Sequence, residues 1–179
     1  MVLGRRLLPF SLWHAFALEA FDSPYANGTA PNHADVVLAA WICSRGFEDA
    51  QDCLRTKRDE MLAECKAWGA AVGIDDVRNA ASAIAQYIAD HVKSPPKIQT
   101  AGSELSIPWP LAYFWKLSNG KLDRETVVQT WDMPVPWAVA YVSASAIAAG
   151  DDSFMTEEVA AALEAARLAM KKEQESGNG

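Results

Sequence analysis

Helix punctuation is the feature that most limits what this chain can become. Ser11, Asn32, Asp75, Asp123 and Thr156 stand at the starts of apolar-periodic segments, where short polar or hydroxyl side chains open helices. Gly46, Gly73 and the run Ser94-Pro95-Pro96 stand where such segments stop. Strand signals are weak throughout. The pattern predicts an all-α fold, a single compact bundle of about six to eight helices. It covers 1–179, with a possible sub-domain boundary in the polar loop near 94–107 and a frayed tail at 173–179.

The segments differ in how much of their surface is apolar. Ser11 opens a helix reaching Phe21, with Phe10 placed as a staple residue before the cap. Residues 22–31 read as a loop, because they contain Ser23-Pro24 and Asn27-Gly28. Asn32 and Asp35 have capping-box spacing, and 36–43 is apolar on every side, as in a buried central helix that Gly46 ends. Over 56–72, Met61, Cys65, Trp68 and Val72 make one stripe, while Lys57, Arg58, Asp59, Glu60 and Glu64 face water. Val77, Ala81, Ile84, Ile88 and Val92 stripe the next helix, and Asp123 caps one carrying Val127, Val128 and Trp131. A last helix from Thr156 is striped by Val159, Leu163, Ala166 and Met170.

One short phrase occurs twice. Ile107-Pro108-Trp109-Pro110-Leu111-Ala112-Tyr113 matches Val135-Pro136-Trp137-Ala138-Val139-Ala140-Tyr141. Each places proline near a first helical turn, where its missing N–H costs nothing, and sets Trp and Tyr four residues apart on one face. Most of the seven tryptophans belong in a core, but Trp109 and Trp137, each beside a loop, are the two expected nearest the surface.

Composition excludes several functions. A net charge of −7 repels a phosphate backbone, and the basic pairs Arg5–Arg6 and Lys171–Lys172 read as solvated surface, so no nucleic acid partner is expected. Cys43, Cys53 and Cys65 are too widely spaced for a metal or redox motif and read as reduced, mostly buried thiols. Arg5–Arg6 before the apolar stretch 7–21 imitates a leader, but His14 and Glu19 interrupt it, and retention is expected. The uncharged stretch 133–150 has no basic anchor beside it; a buried core helix, with no membrane partner, is the expectation.

No common catalytic signature is present, from H-E-x-x-H to a Walker loop or G-x-S-x-G. His14, lying among aromatics, reads as a satisfied core histidine, and a Cys43–His14 nucleophile pair lacks an orienting third group. Asp75–Asp76, Asp151–Asp152 and Glu157–Glu158 all fall at helix starts, where the macrodipole favours them. The residues therefore predict no enzyme, no cofactor and no metal site. Trp109, Tyr113, Trp137 and Tyr141 are the candidate partner-binding residues.

Several phrases carry a family likeness. The opening Leu3-Gly4-Arg5-Arg6-Leu7-Leu8-Pro9-Phe10-Ser11-Leu12-Trp13-His14 resembles the "L-x-P-F-S-L-x-H" start of tail-gene-cluster proteins from tailed bacteriophages. Trp41-Ile42-Cys43-Ser44-Arg45 is similar to the "x-x-C-S-R" helix of that family. Ile107-Pro108-Trp109-Pro110 and Trp131-Asp132-Met133-Pro134 resemble its second half, where a "W-x-M-P" turn precedes a small-residue helix. The resemblance implies a non-catalytic tail assembly chaperone in the host cytoplasm. Its partner would be the helical tape-measure protein or the tail-tube protein, with homo-oligomerisation open. A structural minor tail or connector component, and a small helical enzyme or metal-binding protein, are the alternatives.

Overall fold

The computed structural model describes residues 1–92 and 108–150. Among them the chain forms nine helices: α1 (Leu12–Ala20), α2 (Pro24–Asn27), α3 (His33–Cys43), α4 (Phe47–Thr56), α5 (Arg58–Ala71), α6 (Ile74–His91), α7 (Trp109–Ser118), α8 (Arg124–Trp131) and α9 (Val135–Ala148). Beyond the helices, isolated β-bridges among the described residues join Val2 to Arg5 and Ser11 to Pro134. The fold is all-α, as expected, with more helices than the bundle predicted. The surplus is α2, a single turn begun by Pro24 and closed by left-handed Gly28, and α4, which has no counterpart among the segments above. The loop 94–107, the helix from Thr156 and the tail lie outside the described residues. The chain divides into two compact units, Met1–Ala140 and Tyr141–Gly179, so the division falls within α9.

In the first unit α3 is the centre. Asn32 Oδ1 accepts the Asp35 N–H at 3.1 Å, and Asp35 Oδ2 accepts the Asn32 N–H at 2.8 Å, completing the capping box. Trp41, Ile42 and Cys43 are fully buried, and α3 packs on α1, α5 and α6. Burying a large apolar side chain contributes about 1.5–3 kcal/mol over leaving it exposed. Its contact stripe on α5 begins with buried Met61, but Cys65 and Trp68 are only half-buried.

A second cluster forms where α1, α4, α7 and α8 meet. Trp131 stacks on Phe114 with ring centroids 4.5 Å apart, and touches Phe16 at 5.2 Å and Phe47 at 5.8 Å. Trp13 meets Phe47 edge-on from α1.

Gly46 does not end α3, whose C-cap is Ser44; it is the N-cap of α4. Glycine offers no side chain to the orphan N–H groups there, and a distant residue supplies one. Asp132, in the turn after α8, accepts the Phe47 N–H at 2.7 Å through Oδ1. Burial pushes the Asp132 carboxyl up, with Asp49 and Glu48 acting in the same direction and the Phe47 N–H against them. Asp132→Ala should therefore lose about 1 kcal/mol in urea unfolding, the usual worth of a cap. Asp132→Asn, which keeps an acceptor without the opposed charge, should match the parent; equal loss in both would show that the charge is needed.

The segment before α1 is tied to several helices rather than solvated. Arg5 stacks 4.4 Å over the Trp68 ring and pairs with Glu64 at 2.5 Å, so it is not the free surface cation expected. Leu8 donates its N–H to the Cys43 carbonyl at 2.9 Å, and its own carbonyl accepts from the Tyr87 hydroxyl. Phe10 and Leu12 exchange backbone bonds with the start of α9: Val135 N–H to Phe10 O at 2.8 Å, and Leu12 N–H to Met133 O at 3.1 Å. His14 completes the tie. Its Nδ1 accepts the Ser11 N–H at 3.0 Å, so Nε2 carries the proton and donates to the Arg45 carbonyl at 2.9 Å.

Of the second unit, the described residues are the end of α9 and the turn that closes it. Val142 and Ala146 are buried, and Ser145 Oγ donates to the Tyr141 carbonyl at 2.8 Å. Gly150 ends the described stretch at φ +85°, a left-handed conformation that suits glycine.

Candidate partner-binding surface

The two Pro-Trp phrases fold into helix starts of different phase. In α7, Trp109 is the first helical residue and Pro110 the second; the Pro108 carbonyl accepts from Leu111 and Ala112 N–H at 3.0 and 3.1 Å. In α9, Pro136 is second and Trp137 third; the Pro134 carbonyl accepts from Trp137 and Ala138 N–H, both at 3.0 Å. The repeat thus begins two residues later in α9. At about 100° per residue, a two-residue offset turns the Trp–Tyr pair to roughly the opposite side relative to the helix start.

The outcome is visible in burial. Tyr113 is completely buried, and Trp109 is half-buried with its ring edge-on to Tyr113 at 5.6 Å. Trp137 is 74% exposed and Tyr141 67% exposed. The four expected residues do not behave alike: Tyr113 is a core residue with no surface to offer, Trp109 is a wall of a cleft, and Trp137 and Tyr141 are open to solvent. Trp115 and Leu62, each about half exposed, and Leu122 at 63% are exposed apolar side chains that spacing alone does not single out. Helix α9 is accordingly not buried all round. Val135, Ala138, Val142 and Ala146 are covered, whereas Trp137, Tyr141, Ala144 and Ser145 are exposed. An uncharged sequence has no polar face to announce which side meets water.

Trp137 is held firmly despite its exposure. It lies two residues past Val135, which is bonded to Phe10, and three past Pro134, which is bridged to Ser11. Its backbone is pinned and its indole is free, the arrangement of a preorganised aromatic anchor.

Other reactive groups are engaged or suppressed. Burial lowers His14 to a pKa of about 4, against the opposing backbone hydrogen bonds to Arg45 and Pro9, so it is neutral at pH 7. Both its ring nitrogens are occupied. Burial pushes the Cys43 thiol up to about 12, so a Cys43–His14 pair has neither thiolate nor free base. Cys65 is pushed up to about 11, by burial first and the Glu64 charge second. All three cysteines are free, but only Cys43 is buried; Cys53 and Cys65 are half-exposed, a correction to the expectation of mostly buried thiols. Among the described residues no three His, Cys, Asp or Glu side chains gather as a metal site, and no helix is long and apolar enough to cross a membrane. Compared with protein-family models, with curated proteins and with solved structures, the chain matches none of them.

Proposed function

We propose that this chain is a tail assembly chaperone of a tailed bacteriophage. In this reading it works in the host cytoplasm, without catalysis, and shields apolar helical segments of a tape-measure or tail-tube partner until the tail is built. The observation that carries the reading on the structural side is Trp137: a large aromatic 74% exposed on a backbone pinned by Phe10 and Ser11. A tryptophan left open at that position loses apolar burial that a partner helix would restore. The phage-like phrases around Pro9, Cys43 and Met133 supply the kind of partner.

The test is co-expression with the tape-measure protein, followed by capture through a tag on this chain. The parent should recover soluble partner, and Trp137→Ala should lower affinity at least tenfold, about 1.4 kcal/mol, as truncation of an interface anchor does. Folding stability should move by no more than about 0.5 kcal/mol, as for other exposed substitutions. Undiminished recovery with Trp137→Ala removes that residue from the contact. Failure of the parent to recover any partner removes the chaperone reading, and finding the chain in purified particles replaces it with a structural role.

A further inference from the structure

A cleft of about 470 Å³ opens between α1, α2 and the facing ends of α6 and α7, within the first unit. The volume falls in the range of small-molecule sites. Half-buried Tyr25 and Trp109 line it with Ile88 beside them, while Phe10, almost wholly buried, offers it little surface. The Tyr25 hydroxyl is engaged with the Ala81 carbonyl at 3.4 Å, so this residue offers the cleft its ring more than its polar end.

Among the described residues, the charged lining is of one sign. Glu19 and Asp22 supply carboxylates, and no lysine or arginine among the described residues lines the cleft. Among the described residues, the Asp22 carboxylate accepts from the Asn27 side-chain amide at 3.2 Å. The largely exposed Glu19 carboxyl is pushed up by what burial it has, with no cation or donor among the described residues acting against that shift. An unpaired carboxylate beside aromatic faces disfavours anions through charge and gains nothing from a purely apolar guest. A cation on an apolar body satisfies both parts, with its charge against the carboxylates and its body against the rings.

We propose that this cleft is a binding site for a small organic ammonium ion, with Glu19 and Asp22 holding the charge and Tyr25 and Trp109 flanking the apolar body. The proposal is independent of the chaperone reading, since Trp137 takes no part in the cleft.

The test uses the full chain and 2-phenylethylammonium as the probe, with neutral 2-phenylethanol as its control, followed by calorimetry and by the Trp109 indole N–H resonance. Saturable one-to-one binding that moves the Trp109 resonance is expected. Binding of the alcohol should be weaker by about fivefold or more, the scale of a partly exposed charge contact. Glu19→Gln should weaken the ammonium ion by a similar factor, and Asp22→Asn by a smaller one, while leaving the alcohol unchanged. Absence of binding, equal binding of the alcohol, or ammonium affinity untouched in a folded Glu19→Gln protein would each overturn the proposal.

Discussion

Replacing Trp41 with alanine should remove about 3–5 kcal/mol of folding stability, the usual range for truncating a buried tryptophan. The indole has no solvent exposure and sits in the last turns of α3, the helix that meets α1, α5 and α6. Its loss also strips the Arg45 guanidinium of the ring it lies over at 4.7 Å, leaving that cation to the Glu64 carboxylate 3.5 Å away. Domains of this size are stable by about 5–15 kcal/mol, so the variant should survive with a much reduced margin or unfold near body temperature. Urea unfolding followed by far-ultraviolet circular dichroism measures it. A loss below about 1 kcal/mol would mean that α3 is not the packing centre. Trp137→Ala in the same assay is the control, because the same residue type deleted at an exposed site should barely register.

Mild acid should weaken the fold through one buried histidine. His14 is neutral in the folded chain, with a pKa of about 4 against an ordinary value of 6.5. Between those values the unfolded chain binds a proton that the folded chain refuses, so stability falls as pH drops from about 6.5 towards 4. The loss should reach about 2 kcal/mol at pH 5 and about 3 kcal/mol below pH 4, from this group alone. The cause is burial; a proton on Nδ1 would also exchange the bond from the Ser11 N–H for one to the Ser11 hydroxyl, 3.2 Å away. Urea midpoints at pH 7 and pH 5 test this. His14→Gln, with a side-chain amide in place of a titrating ring, should be less stable at pH 7 but nearly flat across the same interval. A parent protein whose midpoint does not move between pH 7 and 5 would rule out the neutral buried histidine. At lower pH the carboxyls add their own effects. Glu64, held down chiefly by its hydrogen bond from Arg5, loses that stabilisation as it protonates, whereas Asp132, pushed up by burial, regains some.

Much of the local structure was legible because its causes are local. The Asn32–Asp35 box, the Asp123 cap that accepts the Thr126 N–H at 2.9 Å, and the apolar run of α3 each lie within a few residues of what they determine. Helix α4 was not legible for the complementary reason. Gly46 looks like a stop, and the carboxylate that makes it a start belongs to Asp132, 85 positions from Phe47. The surface was legible by half. Identical Trp-to-Tyr spacing gave no hint that one pair faces inward and the other outward. Helical phase is set by where each helix begins, and the start of α9 is fixed by its backbone bonds to Phe10 and Leu12. Burial of Tyr113 and exposure of Trp137 are therefore tertiary outcomes of one shared motif.

Those same backbone bonds impose an order on synthesis. The stretch around Leu8, Phe10 and Leu12 leaves the ribosome before its partners: Tyr87 lies 79 positions from Leu8, and Met133 and Val135 follow later still. At about 5–20 residues per second, Phe10 waits on the order of ten seconds for Val135 to be made. Throughout that wait the nascent chain carries apolar side chains whose covering helices do not yet exist. Those side chains stay uncovered until the Trp-Asp-Met-Pro turn has emerged.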